Sequence, residues 1–317
     1  MSQQIIHKIE EMSRLEEAVR EYIQTAPFQK ELMSKSNNWH QVCCSLDAIG
    51  DTLIAINDYI ESDYTEDIGL KYILAYGLLQ ALIVQQDAIS HLSEAFSIEY
   101  SHGDELEKVR RIRNAAIGHP TKQDRGKPKG HVFYNYISRP TLSQRGFTLL
   151  RSGDKVEFYD IDLYEIIHCQ LDEVKKKCEI IVGKLKEVYK SYKDKYETDL
   201  LVDIFDRNMA DQFKKIGLGI HSPDPSNIPL AHGVLKGVQE AYSKFEKAFK
   251  ERAYMEPEDQ VKLDEYKYAL AKLETYLGGE QENITKDDAM KHWFYIREKH
   301  KEFEQEASNI DEHYATE

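Results

Sequence analysis

A mainly helical fold, a helical bundle with a small antiparallel β insertion and further carboxy-terminal helices, is predicted by three features of this chain. Apolar residues recur at spacings of three and four through most of its 317 residues, prolines number only 8, and 31% charged residues accompany 41% hydrophobic ones. The length exceeds that of one small bundle. We expect an amino-terminal helical arm (1–38), a helical domain (39–220) with its β insertion at about 130–162, and a carboxy-terminal helical region (221–317).

Each element has its own signal. Residues 3–22 carry helical periodicity. A second helix is expected over 39–60, where Val42, Leu46, Ile49, Leu53, Ile56 and Ile60 share one face. The third, over 68–96, is apolar on nearly every side between Tyr72 and Val84, interrupted by Gln80, so neighbours should enclose it on more than one flank. That run is short of the roughly 20 apolar residues of a membrane span. The fourth starts after Gly103-Asp104 and stops at Gly118, with Pro120 just beyond. Residues 131–138, 146–150 and 155–161 alternate and are rich in aromatic and branched side chains, which predicts three antiparallel strands with a turn at Ser152-Gly153-Asp154. Helix resumes near Leu163 with an unbroken seam from Leu171 to Tyr192. Prolines and glycines over 221–233 mark a boundary, and amphipathic stretches follow at 234–252, 260–276 and 285–308.

Several function classes are disfavoured. Cys43, Cys44, Cys169 and Cys178 show no zinc-chelate spacing and are expected as reduced core thiols. No phosphate-cradling glycine loop, nucleophile elbow or helical His-Glu-x-x-His is present, so no cofactor or metal is implied. No secretion pattern opens the sequence, and a cytoplasmic, membrane-free protein is expected. The net charge of −14 is unevenly spread: residues 108–151 hold eleven Lys and Arg against the single acid Asp124, leaving −24 for the rest. Such a basic stripe is the footprint of a polyanion site.

One constellation carries chemistry. In the fourth helix Leu106, Val109, Ile112, Ala116 and Ile117 form an apolar stripe, and Arg113 falls inside it. A core-facing arginine needs a partner or a use; Asp87 or Glu94 of the preceding helix could pair with it. Asn114 beside it is a poor mid-helix residue, and two unfavourable choices together signal a site. His119 follows the helix stop. With Gly118 in a left-handed conformation, the chain would turn back and bring the imidazole toward Arg113. Imidazole exchanges protons near neutral pH, which suits it to acid–base work.

Arg113-Asn114-Ala115-Ala116-Ile117-Gly118-His119 resembles the hallmark of the HEPN superfamily: Arg, a polar residue, then a short spacer and His at the end of the third helix of a four-helix bundle. The likeness covers about 39–196. Arg125 and His131 fit the bare spacing too, but lack the polar neighbour and lie in a loop. The resemblance implies a metal-independent endoribonuclease, a homodimer with two motifs facing one cleft, and a toxin or anti-phage (abortive-infection) effector with an antitoxin or defence-system partner. Its catalytic residues would be Arg113, Asn114 and His119. Arg110, Arg111, Lys122, Arg125, Lys127 and Lys129 would hold RNA, with Phe133, Tyr134 or Tyr136 as stacking candidates. In one HEPN toxin class a tyrosine two residues after the histidine is modified by a partner; here that position is Thr121, which puts this route of inhibition in doubt. The alternative expectation is a non-catalytic HEPN-like RNA-binding or assembly subunit.

Overall fold

The three-and-four spacing of apolar residues becomes a set of long helices in the computed structural model, which describes residues 1–34, 37–63, 65–124, 132–205, 208–252, 255–279 and 284–314. In order these are α1 (Ser2–Ile23), α2 (Ala26–Ser34), α3 (Asn38–Glu61), α4 (Ile68–Ala95), α5 (Gly103–Arg113), α6 (Leu163–Tyr196), α7 (Met209–His221), α8 (Asn227–Arg252), α9 (Pro257–Leu277) and α10 (Lys286–Glu312). Strands β1 (Gln123–Asp124), β2 (Val132–Ile137), β3 (Gly146–Ser152) and β4 (Val156–Asp162) lie between α5 and α6. The protein is mainly α with a small antiparallel insertion.

The chain divides into two compact units, one formed by Met1–Gln24 and Leu32–Lys186, the other by Thr25–Glu31 and Glu187–Glu317. Both expected boundaries therefore move. The amino-terminal helix is no detached arm, because Ile5, Ile9, Met12 and Val19 are buried and α1 packs on α3. Lys8 pairs with Asp172, and Lys175 pairs with Glu11. The later boundary falls inside α6 rather than at 221, because Phe213, Ile216 and Ile220 of α7 join the same core as Leu235 and Val238 of α8.

In the first unit α3 and α4 form the central helix pair. Val42, Leu46, Ile49, Leu53 and Ile56 are all buried, each such side chain contributing roughly 1.5–3 kcal/mol over exposure. α4 departs from expectation. Between Tyr72 and Val84 its Leu78, Leu79 and Leu82 are buried, yet Ile73, Tyr76 and Val84 stay exposed, so neighbours enclose that stretch on one side only. By length and composition α4 could cross a membrane, and a third of its most apolar window is buried. Among the cysteines only Cys178 is buried, which pushes its thiol up to about 12; Cys43 and Cys169 are half-buried and Cys44 is exposed, all free.

A glutamine set sits in this core. Gln86 Nε2 donates to Gln170 Oε1 at 2.8 Å and to the Leu106 carbonyl at 3.3 Å, while Gln170 Nε2 donates to the Leu82 carbonyl and Gln85 Oε1. Among the described residues Gln85 Nε2 and Gln86 Oε1 are left without a partner, and the bonds that do form tie α4 to α5 and α6. The insertion is a meander in the order β1-β2-β3-β4, the expected three strands plus a two-residue β1 on β2. Gly146 starts β3 where a Cβ would lie 1.8 Å from the Ile161 carbonyl oxygen, so only glycine permits that pairing.

The second unit is built from α7 to α10 around a core rich in aromatic rings. Phe205, Tyr242, Phe245, Tyr266 and Phe303 pack at ring separations of 4.0–5.9 Å. α8 starts at Asn227, earlier than expected, because Pro229 lies in its first turn, where a missing N–H costs nothing.

Candidate functional site

The motif lies at the carboxy-terminal end of α5. Gly103, at φ +71°, turns the chain into the helix; Asp104 and Glu105 follow in the first turn, while Arg110, Arg111 and Arg113 crowd the last. Acid first and base last matches the helix dipole. Leu106 and Val109 are buried as expected, which leaves the last turn to carry the polar groups.

Beyond Arg113 the helix widens into a π turn, Asn114–Gly118, closed by the His119 N–H donating to the Asn114 carbonyl at 2.7 Å. This replaces the left-handed Gly118 expected above: among the described residues only Gly103 and Gly279 are glycines at positive φ. The wider turn brings Gly118 under the arginine. A Cβ there would stand 2.9 Å from Arg113 Nη1 and 3.2 Å from Asn114 Oδ1, so the glycine makes room for the guanidinium.

Neutral oxygens hold Arg113. Its Nε and Nη2 both donate to Gln80 Oε1 of α4, at 3.2 and 2.8 Å, and its Nη1 donates to Asn114 Oδ1 at 3.0 Å. The side chain is half-buried, and among the described residues no carboxylate pairs with it. The two acids expected as alternatives are engaged elsewhere: Asp87 pairs with Arg110, and Glu94 accepts from Gln41 Nε2 at 3.0 Å. Among the described residues no carboxylate offsets the Arg113 guanidinium, and two amides fix its orientation, an arrangement that suits a bidentate anion. His119 is exposed on the same turn.

The other expected residues separate. Arg110 is turned onto α4 by its ion pair with Asp87, and its Nε is buried without a hydrogen bond among the described residues. It sits near Tyr100, whose hydroxyl burial pushes up to about 12, and His102, whose imidazole is lowered by burial and then by Arg110 itself. Arg110 is a bundle residue, because its charge is already neutralised. Arg111 and Lys122 are exposed. Arg125, Lys127 and Lys129 lie outside the described residues. Of the stacking candidates, Phe133 lies 5.3 Å from the Arg151 guanidinium, whereas Tyr134 and Tyr136 are exposed.

Asn135 connects motif and sheet. Its N–H donates to the Pro120 carbonyl at 2.7 Å, its Nδ2 to Gln123 Oε1 at 3.2 Å, and its Oδ1 accepts from Arg151 Nε at 3.1 Å. The insertion is therefore a brace for the segment after His119. Sequence reasoning missed Gln80 and Asn135 as supports. Gln80 left a trace, a lone amide in an apolar run; Asn135 left none, since polar residues normally alternate along a strand. A cavity of about 670 Å³ belongs to the second unit, where Phe213, Trp293 and His300 line it, and it holds none of the motif residues. No family model, no curated protein and no solved structure matches the chain.

Proposed function

We propose that this chain is a metal-independent endoribonuclease of the HEPN type. The observation that carries the reading is the uncompensated Arg113 guanidinium, aligned by Gln80 and Asn114 and sharing one turn with an exposed His119. RNA brings its own nucleophile in the 2′-hydroxyl, so cleavage needs proton transfer and charge stabilisation. Arg113 binds the scissile phosphate and offsets the charge that grows on its non-bridging oxygens. His119 takes the 2′-hydroxyl proton or protonates the departing 5′-oxygen. Asn114 orients the arginine. The products are a 2′,3′-cyclic phosphate and a 5′-hydroxyl.

One motif supplies one imidazole, whereas the two proton transfers call for two. The second comes from another copy of the chain. Ile73, Tyr76 and Val84 lie along one exposed face of α4 together with Gln80, so a copy docked there brings two Arg113 side chains to one cleft. A toxin or anti-phage effector, with an antitoxin or defence-system partner, is the proposed setting.

The test is cleavage of single-stranded RNA in excess chelator by the full chain. Arg113→Ala and His119→Ala each reduce it by a factor of about 10² or more. Cleavage that vanishes on chelation overturns the mechanism. Absence of cleavage in the parent, with RNA binding retained in His119→Ala, replaces it with a non-catalytic RNA-binding subunit.

A further inference from the structure

A second feature of the first unit is chemically distinct from the motif. Between α5 and the sheet runs a groove of about 580 Å³, lined by Lys108, Arg111 and Ile112 on the helix and by Arg151, Tyr159 and Asp160 on the strands. Positions 108, 111 and 112 share one helix face, about 150° around α5 from Arg113 at ~100° per residue. Ala115 of the π turn also lines it, so the groove reaches the chain neighbour of Asn114.

The strand wall is preorganised. Arg151 Nε donates to the buried Asn135 Oδ1, and its guanidinium lies 5.3 Å from the Phe133 ring centroid and 5.2 Å from that of Tyr159. The pairing of Leu149 with Tyr159 and Arg151 with Glu157 puts Arg151 and Tyr159 on one face of the sheet. Tyr159 donates its hydroxyl to Glu157 at 2.6 Å, which fixes the ring. The one acid of the lining, Asp160, accepts from Thr148 Oγ1 at 2.8 Å, and the register places both on the opposite face. Among the described residues Lys108 has only a loose contact with Glu105, at 3.8 Å. The groove thus presents three cations and an aromatic ring on a protein whose net charge is −14.

Cations spaced along a cleft with a flat π surface between them match the chemistry of a single nucleic-acid strand: phosphates to the cations, an unstacked base to the ring. We infer that this groove holds a segment of single-stranded RNA outside the cleavage site, with phosphates on Lys108, Arg111 and Arg151 and a base against Tyr159. The choice of RNA rests on the nuclease reading; the groove itself does not.

The experiment measures fluorescence anisotropy of a short fluorescein-labelled single-stranded oligoribonucleotide, across a salt series, with the full chain carrying His119→Ala so that the probe stays intact. Arg151 supports the sheet, so two other changes at exposed positions serve. Lys108→Ala/Arg111→Ala weakens binding at least tenfold and reduces the log–log salt slope by about 1.4, two contacts at ~0.7 each. Tyr159→Leu weakens binding about fivefold, the lower end for loss of one stacked base, and leaves the salt slope unchanged. Unchanged affinity in both variants overturns the inference, as does failure of the His119→Ala chain to bind RNA at low salt. Loss in the double variant alone, with Tyr159→Leu at full affinity, refutes base stacking and with it the single-strand assignment. A parent that does not cut RNA, with both groove variants weakened as stated, removes the nuclease reading and leaves the groove. A parent that cuts, with groove variants binding normally, does the reverse.

Discussion

Gly118→Ala separates the chemistry of the motif from the fold that carries it. Gly118 has no need of a left-handed backbone, so alanine is conformationally acceptable there. The difficulty is local: the new Cβ would lie 2.9 Å from Arg113 Nη1, against about 3.4 Å for ordinary contact, so the guanidinium must retreat by about 0.5 Å. The displaced atom ends a flexible side chain, and shifting it costs about 0.5–1.5 kcal/mol of rotamer strain. Its hydrogen bond to Asn114 Oδ1, now 3.0 Å, lengthens, and the proposed phosphate contact moves with it. Misplacement of a catalytic group by an ångström costs on the order of 10²-fold in rate. We expect about 10- to 100-fold slower single-turnover cleavage in chelator, with a thermal midpoint within a few degrees of the parent. Cleavage at the parental rate would refute the assigned position of the guanidinium. A large drop in midpoint would instead mark Gly118 as a packing residue.

Three further outcomes follow from the same geometry. Ile73→Asp, at a side chain 66% exposed in the single chain, leaves circular dichroism intact but yields a monomer in light scattering and abolishes cleavage; a dimeric, active variant removes α4 as the interface. Gln86→Leu leaves the buried Gln170 Oε1 without its donor and destabilises the first unit by about 1–3 kcal/mol in urea unfolding, so an unchanged midpoint would deny the network its role. In the second unit burial opposes ionisation of Glu246, but Lys250 and Lys267 outweigh it and hold the carboxyl at about 2. Because the folded value lies below the unfolded one, its stabilisation is complete above about pH 4.5 and declines as pH falls toward 2; Glu246→Gln removes that part of the acid dependence, read from thermal midpoints between those pH values.

The spacing of Val42, Leu46, Ile49, Leu53 and Ile56 was enough to place α3, since an amphipathic face depends on local periodicity alone. The alternation in 132–162 was enough to place the meander for the same reason. The motif was picked out from local signals too: an arginine on an apolar stripe and an asparagine within a helix, followed by Gly-His-Pro. What those letters could not convey was who meets whom. Arg110 and Arg113 lie three residues apart on neighbouring faces, and nothing local says which of them takes Asp87. The packing of α4 on α5 decides it, leaving Arg113 to the neutral Gln80 and, among the described residues, without a carboxylate partner. Periodicity likewise misjudged α4, because a run apolar on all sides reads as enclosed, while how many neighbours surround it depends on where the other helices pack. Local sequence thus set the elements and the residues of the motif; long-range packing, which no spacing encodes, set their partners and the groove beside them.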